Sequence, residues 1–303
     1  MPKSDSGRSR VSAAEVLAPV LAAQVTDLRA WEVGVRLAQP EATHGFRVAA
    51  RRLRSMLAAF GPLMDQEAAD ELAEQLKRAA GAIGGARDSE IVQARVEALL
   101  GEEADDLDVA GTRERLSRRL EESYEASRQA SIEHLDSPEY DAFVRHLEAF
   151  VDLPAWTDAA RGRAEKVLRP LLRAEWSRFR KRTQRALTGT PGPEQDVRMH
   201  DARKSAKRAR YVAESLVPLF GRRARRLGKA AERVQVVLGD HQDCVLTQRV
   251  LREVGEQAFR DGENPFLLGR LQAREAAAAA DLRADFTRVA AAADRPSLRR
   301  WLD

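Results

Sequence analysis

Cysteine is almost absent from this 303-residue chain, which contains only Cys244. A single cysteine forms no internal disulfide and, without a CxxC partner, no cysteine-built zinc site, and such usage is typical of a reducing compartment. No run of about 18 apolar residues occurs, and the opening stretch MPKSDSGRSR leads into no hydrophobic segment. The sequence therefore predicts a cytoplasmic protein that does not span a membrane.

A strong excess of charge of one sign is also missing. The chain has 51 lysines and arginines against 47 acidic residues, so its formal net charge is only +4. Overall charge therefore says little about partners, and any charged binding surface must come from local clustering. Aromatic residues are scarce as well, at 5% of the chain, which disfavours a surface that binds nucleic acid by stacking on its bases.

Alternating β-branched runs are missing, while apolar residues recur at three- and four-residue spacing along nearly the whole chain. This periodicity predicts an all-α protein. Glycine, proline and capping residues gather at a few breaks and divide the pattern into helices. The predicted helices span 11–38, 42–60, 66–83, 88–100, 111–134, 138–150, 158–188, 195–217, 222–238, 241–259 and 265–293.

The two halves of the chain resemble each other. The stretch HGFRVAARRLR at 44–54 aligns with HDARKSAKRAR at 200–210, an offset of 156 residues. Farther on, AIGGARDSEIVQARV at 82–96 aligns with VLGDHQDCVLTQRVL at 237–251, an offset of 155 residues. Two matches in the same order at nearly the same separation predict an internal duplication. We expect two similar antiparallel helical bundles, 1–153 and 154–303, related by a pseudo-twofold axis.

Each of the aligned helices carries a row of basic side chains. Because a helix turns about 100° per residue, the row positions fall within an arc of roughly 80°. The rows are His44, Arg47, Arg51 and Arg54 in the first half and His200, Arg203, Lys207 and Arg210 in the second, accompanied by Arg52, Lys204 and Arg208. The opposite sides are apolar, with Phe46, Leu53, Leu57 and Phe60 in the first helix and Ala202, Ala206, Ala209 and Leu216 in the second.

A charged row of this kind is usually the solvated face of an amphipathic helix. A solvated face, however, mixes signs to gain favourable i,i+4 pairs, and neither row has an acid among its four positions. Like-charge repulsion in both halves favours a surface that binds an anion. Two further sets share arcs in the second half and are either solvated surface or ligand contacts: Lys166, Arg169, Arg173 and Arg180, and Arg222, Arg226, Lys229 and Arg233.

The paired motifs H-x-x-R-x-x-x-R-R-x-R at 44–54 and H-x-x-R-K-x-x-K-R-x-R at 200–210 resemble those of the CHAD domain, the conserved-histidine α-helical domain. The motif G-x-x-R-D at 84–88 and its counterpart LGDHQD at 238–243 add to the resemblance, although Gln242 stands where the first half has Arg87. The resemblance covers nearly the whole chain. It implies two helical bundles around a pseudo-twofold axis, with a basic surface or channel between them that binds inorganic polyphosphate, often at polyphosphate granules.

Elementary electrostatics also favours polyphosphate as the partner. A linear polyanion without bases needs only closely spaced cations and the release of counterions. Arginine supplies a fork for phosphate oxygens, and lysine supplies a point charge. Single-stranded nucleic acid also uses aromatic platforms, which the rows lack, so a nucleic-acid backbone is the alternative. The predicted phosphate-binding residues are both rows with their accompanying residues, together with the two further sets apart from Arg180.

An enzymatic alternative rests on the adjacent pair His200 and Asp201, which resembles part of the metal site of HD phosphohydrolases. The other candidate ligands lie far away in the sequence, and basic residues on the same face oppose a divalent cation. Asp88 and Asp243, predicted at helix starts, are more simply N-caps or salt-bridge partners of the basic rows. The sequence contains no glycine-rich phosphate loop or nucleophile elbow. It therefore predicts a binding protein that is not an enzyme and uses no cofactor or metal.

Overall fold

The computed structural model describes residues 11–104, 107–189 and 192–303, apart from the side chains of residues 86 and 87. Within these residues the secondary structure is helical and contains no β-strand, which confirms the all-α prediction. The ten longer helices of this described part are α1 Ala13–Arg36, α2 Ala42–Phe60, α3 Gln66–Ala82, α4 Gly85–Leu100, α5 Val109–Leu135, α6 Pro138–Asp152, α7 Ala164–Leu187, α8 Pro193–Ser215, α10 Arg222–Arg260 and α11 Phe266–Ala293. Two four-residue helices are α9 Val217–Phe220 and α12 Pro296–Arg299.

The longest helix corrects the sequence prediction of separate helices at 222–238 and 241–259. Helix α10 runs unbroken for 39 residues, through the glycine at which the break was predicted. A glycine inside a helix costs only about 1 kcal/mol relative to alanine, and tertiary packing overrides that preference. Gly239 is buried, and a Cβ there would lie 3.4 Å from the guanidinium of Arg203. Asp243 therefore lies inside a helix, and the prediction that it stands at a helix start is wrong.

The equivalent stretch of the first half does break. Helix α3 ends at Ala82, and α4 begins at Gly85, three residues before the predicted start. The helix predicted from residue 158 also begins later, because Asp158–Arg161 is a 3₁₀ turn and α7 starts at Ala164. The equivalent stretches of the two halves therefore differ, because one is a continuous helix and the other is broken. The internal duplication stays a prediction.

Two apolar cores hold the helices together. The larger core contains residues of α1, α2, α3, α6, α7, α8, the first part of α10 and the end of α11. The smaller core lies between α4, α5, the second part of α10 and the beginning of α11. Each core draws on both sides of residue 153, so the two halves stabilise each other. No described helix is long and apolar enough to cross a membrane.

The segment that joins the two halves is held against the first half by backbone hydrogen bonds. Backbone hydrogen bonds connect Ala13 to Gly162 and Ala164 to Val11, each with a donor–acceptor distance of 3.0 Å. The division at 153/154 therefore falls within a connection with ordered backbone partners. It stays a prediction, and residues 1–10 of the first predicted unit lie outside the described part of the chain.

Candidate anion-binding site

The two predicted basic rows lie on α2 and α8, which pack against each other. The predicted apolar sides of these helices are buried, as expected: Phe46, Leu53, Leu57 and Phe60 in α2, and Ala202, Ala206 and Ala209 in α8 with Leu216 directly after it. Burial of these sides fixes how each helix is rotated about its axis. The basic side chains therefore occupy the remaining faces, and those near the middle of the two rows meet.

Four side chains form what we call the central cation cluster: Arg47 and Arg51 from α2, and Arg203 and Lys207 from α8. All three arginines act electrostatically on Lys207, and Arg51 also acts on Arg203. The arginines are partly exposed, whereas Lys207 is only 9% exposed. The packing of two helices thus brings together cations that lie about 150 residues apart in sequence.

Burial of Lys207 changes its protonation. Loss of solvent is the largest cause, and the charges of Arg51, Arg203 and Arg47 add to it, so the pKa of Lys207 falls to about 6. The carboxylate of Asp243 opposes this shift without forming an ion pair with Lys207. In the free protein the amine of Lys207 is therefore mostly neutral near pH 7.

Arg47 is positioned by the connection between α3 and α4. Its guanidinium donates a hydrogen bond to the backbone carbonyl of Gly84 and lies 3.6 Å from the carboxylate of Asp88. A Cβ at position 84 would stand 3.0 Å from the Arg47 guanidinium and 2.9 Å from the carbonyl oxygen of Ala80, so glycine permits this approach. Asp88, the fourth residue of α4, is thus a salt-bridge partner of the first row.

Helix α10 contributes acids to the other side of the cluster. Burial raises the pKa of Asp243, and the nearby guanidinium of Arg203 opposes that shift. Burial also lowers the pKa of Arg203, with Asp243 acting against it. Because no described acid lies within ion-pair distance of Arg51, Arg203 or Lys207, positive charge predominates where α2 meets α8.

Three predicted contact residues are instead bound by acids. Arg208 lies 2.6 Å from the buried carboxylate of Glu175 in α7, and Arg52 lies 3.3 Å from Glu214 in α8. Arg210 lies 2.7 Å from Glu214 and 2.9 Å from Glu232 in α10. The ring of Tyr211 lies beside this network, with the guanidinium of Arg52 5.4 Å and that of Arg210 5.8 Å from its centre. These arginines therefore join neighbouring helices and are less available to a ligand than the central cation cluster.

The remaining members of the rows lie at the edges of the cluster. Burial lowers the pKa of Arg54, whose Nε is buried without a hydrogen-bond partner in the described part of the chain. Lys204 is exposed and lies 3.8 Å from Asp201. Asp201 is itself 3.0 Å from Arg182 of α7. Asp201 is therefore engaged by cations on two sides.

The two row histidines have different surroundings. His44 is exposed and lines a cavity of about 260 Å³ between α2, α4 and α5, together with Glu90 and Tyr124. His200 is partly buried, and its Nδ1 lies 3.1 Å from Oε1 of Gln242 in α10. Burial, followed by the charge of Lys204, lowers the pKa of His200. Gln242, which departs from the motif of the first half, thus bonds to the row histidine, while the side chain of its counterpart at position 87 lies outside the described residues.

The two further basic sets lie on α7 and α10, and most of their side chains are exposed. Arg169 is partly buried with its guanidinium 5.9 Å from the ring centre of Phe220, and Arg180 pairs with Asp294. The other members are exposed, without an ion pair to any described acid: Lys166, Arg173, Arg222, Arg226, Lys229 and Arg233. These residues form basic surface outside the central cation cluster.

Comparison with known proteins decides the family. The CHAD domain model matches residues 19–252, which is more than three quarters of the chain. The chain belongs to the CHAD domain family. Uncharacterized proteins MT2285 and Rv2226 from two strains of Mycobacterium tuberculosis are each 29% identical over 256 residues, covering 84% of this chain and 48% of each relative. The chain thus spans about half the length of these curated relatives.

Solved structures share the fold of this CHAD domain. PptA from Streptomyces chartreusis superposes with a TM-score of 0.74 at 20% identity, covering 92% of this chain and 99% of that one. The CHAD domain from the plant Ricinus communis superposes with a TM-score of 0.60 at 24% identity, covering 96% of this chain and 92% of that one. At these identities the likeness concerns the fold alone.

The CHAD fold also places a residue near the site that the sequence analysis missed. Arg95 of α4 reaches Glu275 of α11, with 2.7 Å between Nη2 and Oε2, and its Nη2 also lies 3.0 Å from Sγ of Cys244. Its charge acts on both Asp240 and Asp243 of α10. Burial raises the pKa of Cys244 to about 12, so the thiol stays protonated. A lone arginine in a polar helix carries no sequence signal for such a role, because its partners lie 145 or more residues away.

The enzymatic alternative requires a metal site within this CHAD domain. Among the described residues, no group of three or more histidine, cysteine, aspartate and glutamate side chains is arranged to hold a metal ion. His200 bonds to Gln242, and Asp201 pairs with Arg182. The pair that suggested an HD-type site is therefore bonded to other side chains.

Proposed function

We propose that this CHAD domain binds inorganic polyphosphate through the central cation cluster between α2 and α8. The observation that carries the proposal is the meeting of Arg51 with Arg203 and Lys207 from the other helix. None of these three basic side chains forms a hydrogen bond or ion pair with a described side chain. A phosphate chain entering there gains several charge-assisted hydrogen bonds, and it removes the repulsion between the cations.

Several features support polyphosphate over a nucleic-acid backbone. Arg47 is already held by Gly84 and Asp88, so part of the cluster is preorganised for a closely spaced row of phosphates. Tyr211, an aromatic residue beside the rows, is buried and covered by the guanidinium groups of Arg52 and Arg210. Its ring therefore offers no stacking platform to a base.

Longer chains have further basic surface to contact. We infer that the exposed cations of α7 and α10 extend the binding surface for a long polymer, while a short oligophosphate engages the central cation cluster alone. Linking several modest contacts on one polymer raises the effective concentration at each. Long polyphosphate should therefore bind much more tightly than tripolyphosphate.

A competition experiment tests the ligand class. Fluorescently labelled long polyphosphate is displaced at moderate salt by unlabelled long polyphosphate, tripolyphosphate, heparin or RNA of equal total charge. We expect long polyphosphate to compete best, and its binding to be clearly weaker in an Arg51→Gln, Arg203→Gln double variant. Stronger competition by RNA would replace the proposal with the nucleic-acid alternative.

We also infer that the protein is not an enzyme and that it associates with polyphosphate granules in the cytoplasm. Incubation with polyphosphate and Mg²⁺ or Mn²⁺ should release no phosphate. Metal-dependent turnover that is abolished by His200→Ala or Asp201→Ala would overturn this inference. A fluorescent fusion should colocalise with granules and disperse in cells that make no polyphosphate.

A further inference from the structure

The amine of Lys207 is an unusual group for a buried position. The residue is 9% exposed and lies in the middle of α8, between α2 and α10. Its amine forms no hydrogen bond or ion pair with any residue that the structure describes. A buried ammonium normally keeps a partner, because leaving water without one is unfavourable by several kcal/mol.

Charged groups face Lys207 from each neighbouring helix. Helix α2 contributes the guanidinium groups of Arg47 and Arg51, α8 contributes Arg203, and α10 contributes the carboxylate of Asp243. Glu175 of α7 and Asp201 of α8 are paired with other cations, Arg208 and Arg182 respectively. An ammonium at this place would thus meet three cations and a single acid outside ion-pair distance.

We propose that binding of polyphosphate at the central cation cluster is coupled to uptake of one proton by Lys207, so that affinity rises as the medium becomes more acidic. The inference rests on the proposed function. The bound polyanion replaces the missing counter-charge, and a nearby negative charge favours the protonated form of an amine. The pKa of about 6 in the free protein leaves the amine able to accept that proton at neutral pH.

The coupling is reciprocal. If a bound proton strengthens polyphosphate binding, bound polyphosphate strengthens proton binding by the same factor. A rise in pH therefore releases polyphosphate from the protein, and a fall in pH tightens the complex. The guanidinium groups of the cluster stay charged throughout this range, so they supply the part of the affinity that does not depend on pH.

Calorimetric titration tests the coupling directly. Long polyphosphate is the probe, because titration of its two end groups is negligible beside its many internal phosphates. Titrations at pH 7.5 in buffers of different ionisation enthalpy count the protons taken up on binding. We expect about one proton for the wild-type protein and none for Lys207→Arg, which keeps a positive charge that does not titrate. Wild-type affinity should fall by up to about tenfold per pH unit between pH 6.5 and 8.5, whereas Lys207→Arg should bind with nearly constant affinity.

Further variants make the outcome decisive. Lys207→Met also removes the titrating group and serves if the larger arginine side chain disturbs folding. His200→Gln and Asp243→Asn test the other titratable groups near the cluster and should keep the proton uptake. Unchanged uptake in both Lys207 variants, or its loss in His200→Gln or Asp243→Asn, would overturn the inference. Wild-type binding without proton uptake overturns the inference but leaves the proposed function intact, whereas absence of binding at every pH overturns the proposed function itself.

Discussion

Arg51 of α2 and Lys207 of α8 lie close enough that the charge of the guanidinium lowers the pKa of the buried amine. Repulsion would separate these two side chains whenever both are charged. They are held together because the apolar sides of their helices are buried in one core, including Phe46 and Leu53 from α2 and Ala206 from α8. Apolar burial therefore stabilises an arrangement of cations that is poised to receive an anion.

The first prediction concerns the salt dependence of binding. Replacing Arg51 and Arg203 by glutamine should lower the affinity for long polyphosphate at least about tenfold and reduce the salt slope by roughly two, since two fewer phosphate charges are neutralised. Isothermal titration at three or more salt concentrations measures both quantities. The matched control is Arg222→Gln, Arg226→Gln, which removes two exposed cations of α10 and should have a smaller effect on affinity. Equal losses in the two double variants would argue against a special role for the cluster.

The second prediction links Lys207 to stability. Its pKa is about 6 in the folded protein and about 10.4 in an unfolded chain, so between these values the unfolded state binds more protons. The free energy of unfolding should therefore rise with pH, by up to about 1.4 kcal/mol per unit between pH 7 and 10. Lys207→Met should lack this rise and be more stable than the wild type by about 1–3 kcal/mol at pH 7.

Urea denaturation at pH 7, 8 and 9 measures this difference. Lys204→Met is the control on the same helix, because its side chain is exposed and its ion pair with Asp201 is long, at 3.8 Å. It should change stability by less than about 0.5 kcal/mol at each pH. If Lys207→Met and the wild type show the same pH dependence, then Lys207 is protonated in the folded protein.

The sequence alone was sufficient to predict the local features of the site. Helical periodicity placed both basic rows on one face of their helices and the apolar residues on the other, and the burial of the apolar residues confirms their part of that division. The rotation of each helix follows from which side chains leave water, so this part is encoded within a few turns. The convergence of the rows required the packing of α2 against α8, which the motif resemblance implied and the periodicity alone did not.

The pairing of Arg52, Arg208 and Arg210 could not be predicted in this way. Glu214 lies one turn beyond Arg210 and therefore outside the four row positions, and Glu175, the partner of Arg208, comes from a different helix. The burial of Lys207 was equally hidden, because a helical arc gives the direction of a side chain and not what covers it. A helix break was wrongly predicted at Gly239. The role of this glycine is a close approach to Arg203, which is a tertiary contact.

The third prediction concerns Gly45, next to His44 in α2. A Cβ at this position would stand 2.2 Å from the ring of Trp31 in α1, so the ring or one of the helices must shift. Gly45→Ala should therefore lower the free energy of unfolding by about 1–3 kcal/mol despite the better helix propensity of alanine. Gly81→Ala in α3 is the control, because no atom lies within 4 Å of its added Cβ apart from its chain neighbours and the adjacent backbone of its own helix. It should stabilise by about 0.4–1 kcal/mol. Parallel thermal melts compare the two, and a stabilised Gly45→Ala would show that Trp31 moves aside freely.

The last prediction tests the acid-bound arginines as structural elements. Glu175 is 5% exposed and contacts Arg208 and Arg178, so Glu175→Gln removes the charge that balances two guanidinium groups in a place of limited hydration. We expect the free energy of unfolding to fall by about 1–3 kcal/mol. Glu232→Gln is the control, since that side chain is 40% exposed and Arg210 keeps Glu214 when it is changed. The control should change stability by less than about 1 kcal/mol.

Affinity for polyphosphate separates the structural role of Arg208 from direct contact. If Arg208 only joins α8 to α7, Glu175→Gln leaves the salt slope of binding unchanged, because no phosphate contact is gained or lost. If removal of the acid frees Arg208 to reach the polymer, the slope becomes steeper by roughly one. Chemical denaturation and titration at several salt concentrations on the same preparations decide between these outcomes. A steeper slope would return Arg208 to the ligand-contacting set that the sequence predicts.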